Sequence, residues 1–171
     1  MGKLNINVKE LTRHIELKTD FWVNRKSTNC YAFAMGFDIP ENNISNNAYC
    51  VGTIGLTAKG ISIWRIKEFS YDERLIMDLK ALRLKYQEVD IDEKIKDDDR
   101  TSYFLISLLE SGRDFHFLRK DKKSNIWWHK RGWYNEPCST DDYFNNITNP
   151  KEATIGYYHY VKTYKIGYKH F

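Results

Sequence analysis

Few structures suit the stretch Asn29 to Gly36, NCYAFAMG. Asn is a favoured helix N-cap, Tyr31 to Met35 are apolar on most sides, and Gly36 suits the left-handed turn that ends a helix. The pattern predicts a short buried helix starting at Cys30. The rest of the fold must then surround that helix with apolar surface. A cysteine in a first helical turn lies among backbone N–H groups with no partner inside the helix, and these favour a thiolate. Cys30 is therefore predicted to be the reactive thiol, alkylated before Cys50 and Cys138. Such a sulfur becomes a nucleophile when an imidazole on another element reaches it.

The elements that could bring an imidazole follow from periodicity and turn chemistry. Ser70 and Glu73 form a capping-box pattern ahead of apolar residues at Leu75, Leu79, Leu82 and Tyr86, which predicts a helix. Tyr103 to Leu109 (YFLISLL) is a continuous apolar run, as a central strand buried on both faces would be. Residues 113–120 and 125–131 flank a polar KDKKSN tip and predict a hairpin, and Gly156 to Tyr164 predicts a last strand. Ala48 to Thr57 reads as a strand or a buried turn, and Ile61 to Ile66 as a short extended segment. The carboxylate run in residues 88–100 lacks the Gly and terminal Glu of a calcium loop and reads as a solvated linker. Helices and strands in this order predict an α+β fold, and 171 residues with 42% hydrophobic side chains suit a single domain over residues 1–171.

Composition argues against several classes of function. A net charge of +4 spread over 27 basic and 23 acidic residues argues for solubility rather than a nucleic-acid surface. No run is long enough to span a membrane and the first residues lack the apolar core of a signal peptide, so a cytoplasmic location is expected. The 3 cysteines have no C-x-x-C spacing, so neither a disulfide framework nor zinc is expected, and no other cofactor is implied.

With the hairpin tip centred between Lys122 and Lys123, His116 falls opposite His129, Leu118 opposite Trp127 and Lys120 opposite Asn125. Cross-strand partners share a face of the sheet, so two imidazoles meet, while Phe115, Phe117 and Trp128 take the other face. A cysteine nucleophile needs an imidazole as base and a second group to hold that imidazole's tautomer and ring. His116 is the candidate base and His129 the orienting residue, with His159 able to substitute if the register differs. The Cys30 backbone N–H is the default oxyanion donor, with a side-chain amide from Asn24 or Asn29 as the second. Tyr31, Trp127 and Trp133 are candidates to line the substrate cleft.

The order of a cysteine at a helix start, a histidine on a strand and a polar residue on the following strand resembles the papain-like fold. A histidine in the third place is similar to the NlpC/P60 peptidases. N-C-Y-A-F-A at 29–34, D-F-H-F-L-R at 114–119, W-x-H-K-x-G at Trp128, His129, Lys130 and Gly132, and the late G-Y-Y strand also look like a group of small bacterial and phage proteins. The resemblance implies an antiparallel sheet packed against the helix that carries the cysteine, with Cys30, His116 and His129 as nucleophile, base and orienting residue. Papain-type enzymes place a Gln before the cysteine as oxyanion donor, and Asn24 has that offset here.

Together these readings predict a cysteine peptidase or amidase acting on an amide bond through a thioester, with a peptide or amide as substrate. The competing expectation is a non-catalytic phage or mobile-element protein that grips a host protein through an aromatic and basic surface at Lys120, Lys122, Lys123, Lys130 and Arg131.

Overall fold

The computed structural model describes residues 29–37, 50–91, 103–132 and 135–167. Helix α1 is Cys30–Met35, begun by Asn29, whose Oδ1 accepts from the Ala32 amide at 2.7 Å, and closed by Gly36 at φ 72°. All of its residues are buried, as its composition predicts. Helix α2 is Thr53–Ala58, a 3-10 helix spans Ile63–Glu68, and α3 is Tyr71–Ala81 with the expected Ser70–Glu73 capping box. The strands are β1 Lys85–Val89, β2 Tyr103–Glu110, β3 Phe115–Lys120, β4 Trp127–His129 and β5 His159–Gly167. They form one antiparallel sheet in the order β1-β5-β2-β3-β4, so the chain is α+β.

Both faces of the sheet are covered. Phe104, Ile106, Leu108, Phe117, Tyr164 and Ile166 pack with α1 and with Leu75 and Leu79 of α3. Tyr103, Leu105, Leu109, Leu118 and Trp127 pack on the other side with Ile147 and Ile155, which come from the segment between β4 and β5. β2 sends alternate side chains into each cluster, which is why its sequence is apolar without alternation.

Asp78 of α3 ties the cysteine helix down. Its carboxylate accepts from the Tyr31 hydroxyl at 2.6 Å, the Gly52 amide at 2.8 Å and the Gly55 amide at 2.7 Å, all in the interior. Burial pushes this carboxyl up to about 6, against the pull of those donors. Gly55 is required by the same junction, because a Cβ there would lie 2.5 Å from the Cβ of Met77.

Three local expectations are corrected. The Ala48 to Thr57 stretch contains a helix, α2, entered through Gly52 at φ 96°, a conformation that Gly adopts at little cost. The segment from Ile61 is not extended: Ser62 Oγ accepts from the Trp64 amide at 3.4 Å, and Ile63 and Ile66 sit one 3-10 turn apart. α3 stops at Ala81 because Arg83 takes φ 56°, which frees Tyr86 to join β1, a strand the apolar periodicity had absorbed into the helix. No described helix is long and apolar enough to cross a membrane.

Candidate active site

The hairpin turns one residue later than the sequence suggests. Asp121 accepts through its side chain from the Lys123 amide and from the Ser124 amide and hydroxyl, and Asn125 at φ 58° completes the reversal. The register is therefore Leu118 opposite His129 and Lys120 opposite Trp127, which corrects the direct His116–His129 pairing. The displacement is by an even number of positions, so the face of every side chain is kept. His116 becomes the diagonal neighbour of His129 on the same face, a separation long side chains bridge.

They do bridge it. The His116 Nε2 lies 2.9 Å from the His129 Nδ1, and the His129 Nε2 lies 2.8 Å from the Thr140 carbonyl oxygen. A carbonyl only accepts, so the His129 Nε2 carries the hydrogen, and in the neutral ring its Nδ1 must accept. The bond from His116 then runs from its Nε2–H, which leaves the His116 Nδ1 as the basic nitrogen. One main-chain oxygen thus sets the tautomer of both rings. The His116 ring also stacks on Tyr158, with centroids 5.2 Å apart, and the Tyr158 hydroxyl donates to Asp114 at 2.8 Å. Burial, reinforced by the neighbouring His129, pulls His116 down to about 3, so it is a neutral imidazole at neutral pH.

Cys30 lies against the backbone on either side of His116. Its Sγ is 4.0 Å from the Phe115 carbonyl oxygen, and the Phe117 backbone also hydrogen-bonds the sulfur. Main-chain groups two residues apart on a strand point the same way, so the sulfur sits against the β3 main chain at Phe115 and Phe117, the residues that flank His116. Among the described residues it makes no hydrogen bond to either imidazole. The expected thiolate is corrected: Cys30 is 8% exposed, and desolvation outweighs the helix start and pushes its thiol up to about 12.

Cys138 holds the opposite end of the histidine pair. It forms an antiparallel bridge with His129, with N–O distances of 2.9 and 2.8 Å, and its Sγ is 3.3 Å from the His129 Nε2. The hydrogen bond from His129 leads the influences that bring this thiol down to about 7. Of the three cysteines it is Cys138, not Cys30, that is poised to ionise near neutrality. Nothing in its spacing marked it, because the bridge arises from the chain folding back after β4. Lys130, next to His129, is also inside: its Nζ donates to the Gly132 carbonyl, and burial lowers it to about 8 while the charge of an ionised Cys30 opposes that shift. It does not belong to the expected basic surface.

The remaining candidates divide. Tyr31 and Trp127 are 0% and 1% exposed, the first bonded to Asp78 and the second packed with Ile147, so both are core residues rather than cleft lining. Asn29 is occupied as the helix cap. His159 is exposed at the start of β5 opposite Glu110 and, among the described residues, makes no hydrogen bond to His116 or His129. Asn24 and Trp133 lie outside the described residues. No protein-family model, curated protein or solved structure matches the chain.

Proposed function

We propose that the chain is a papain-like cysteine hydrolase of the NlpC/P60 type, cleaving an amide bond through a thioester on Cys30. The observation that carries this reading is the chain of contacts from the Thr140 carbonyl through His129 to His116, which leaves a basic Nδ1 on a residue whose two neighbours touch the Cys30 sulfur. A base, a tautomer-fixing partner and a thiol at a helix start are the parts that acyl transfer needs.

In the proposed reaction the Cys30 Sγ leaves the Phe115 carbonyl and approaches the substrate carbonyl carbon as its proton passes to the His116 Nδ1. Thiol and imidazole are both neutral at rest, so His116 acts as a general base during attack rather than as half of a standing ion pair. The tetrahedral intermediate collapses as His116 returns the proton to the leaving amine, and water then releases the acyl group from sulfur by the same route. His129 keeps the ring of His116 aligned through both halves.

The test is a peptidyl acyloxymethyl ketone, which alkylates activated active-site thiols, followed by peptide mapping by mass spectrometry. The expected adduct is on Cys30, and His116→Ala slows its formation by about 100-fold, the scale of a lost general base. An adduct rate at Cys30 that ignores His116 would defeat the reading.

A further inference from the structure

We propose that Cys138 is a thiol-modification site that exchanges with low-molecular-weight disulfides of the glutathione type, and that the mixed disulfide switches the histidine relay off. The sulfur is partly exposed and is held 3.3 Å from the His129 Nε2 by the backbone bridge between the two residues. The Nε2–H that the Thr140 carbonyl requires also points a donor at this sulfur, so His129 stabilises the thiolate rather than taking a proton from the thiol. Arg131, fixed by Asp142 at 2.5 Å, adds a second donor, this one cationic, to the same sulfur. A thiol with an ionisation midpoint near 7 is close to the optimum for attack on a disulfide at neutral pH.

The exchange balances simply. The Cys138 thiolate attacks one sulfur of the disulfide, a new S–S bond forms as the old one breaks, and the departing thiolate takes up the proton that Cys138 released. Cys138 is oxidised to the disulfide level, and one equivalent of small thiol is the reduced product. A sulfur in a mixed disulfide no longer carries charge and brings a bulky substituent against the ring that orients His116. The switch, though not the modification, rests on the hydrolase reading.

The full chain is incubated with oxidised glutathione from pH 5 to 9, quenched in acid and mapped by mass spectrometry. Cys138 is expected to acquire glutathione at least tenfold faster than Cys30 or Cys50 at pH 7.5, with a rate midpoint near pH 7, and His129→Gln is expected to raise that midpoint. The wild-type profile decides the matter even if that variant does not fold: faster reaction at another cysteine, or a midpoint above 8.5, overturns the site. In the glutathionylated protein the ketone reaction at Cys30 is expected to fall at least tenfold and to recover with reductant. An unchanged rate overturns the switch and leaves the hydrolase reading standing. No Cys30 adduct in unmodified protein overturns both of those and leaves the modification site.

Discussion

The His116 Nε2 meets the His129 Nδ1 at 2.9 Å across a diagonal of the β3–β4 ladder. His129 in turn is anchored by a carbonyl that can only accept, so the pair has a direction: the lone pair of the relay is left at the His116 Nδ1. Removing the anchor end should therefore weaken the base end without touching the nucleophile.

His129→Ala leaves the Nε2–H of His116 without its acceptor and frees the ring. The rate of ketone capture at Cys30 is expected to drop by about 100-fold, while His159→Ala, at an exposed position outside the relay, leaves it unchanged. Circular dichroism on each variant checks that the sheet is intact.

Acid should unfold the protein partly through His116. In the folded state this imidazole stays neutral down to about 3, whereas in the unfolded chain it takes up a proton near its ordinary 6.5. The unfolded state thus binds more protons across that window, and stability falls as pH drops from 6.5 towards 3, by about 1.4 kcal/mol per unit at most. Asp78 acts in the opposite sense, because its raised folded value favours proton uptake by the native state between about 6 and its ordinary 3.8. The informative quantity is thus the difference between wild type and His116→Gln. Urea unfolding at pH 7 and pH 4 should show wild type losing more stability than the variant.

Asp78→Ala deletes a buried acceptor shared by Tyr31, Gly52 and Gly55. Leaving those donors without a partner is expected to cost about 3 kcal/mol or more, whereas Tyr31→Phe, which removes one hydroxyl, costs about 1 kcal/mol. Urea midpoints read both. Because Asp78 joins α1 to α2, the first variant should also expose Cys30 to small alkylating reagents.

Gly55→Ala tests the junction from the steric side. The added methyl would sit 2.5 Å from the Met77 Cβ and 2.6 Å from its carbonyl carbon, so α2 and α3 must separate. A loss of about 1–3 kcal/mol is expected on thermal or urea unfolding, although Ala is the better helix former.

Much of this arrangement could be read before any coordinates. The Asn29 cap, the Ser70 capping box, the unbroken apolar run of β2 and the shared face of the two histidines follow from local chemistry and side-chain period. The failures have identifiable causes. A capped helix start of only six residues could not overcome the desolvation of a largely buried sulfur, and burial at Cys30 depends on contacts with β3, far along the chain. The hairpin register was set by the side chain of Asp121, which shifted the turn. Cys138 and the Thr140 carbonyl reach His129 only through a chain reversal that leaves no periodic trace. Lys130 looked like a surface charge because its partner is a main-chain oxygen two residues on.

The tautomer of His116 is the hinge of the account, and long-range 1H–15N NMR of the imidazole rings observes it directly. At pH 7 the His116 Nε2 should show a protonated, pyrrole-like shift and its Nδ1 a bare, pyridine-like one, with His129 in the same form. A hydrogen on the His116 Nδ1 would mean that the relay runs the other way, and Cys30 would have no base to meet.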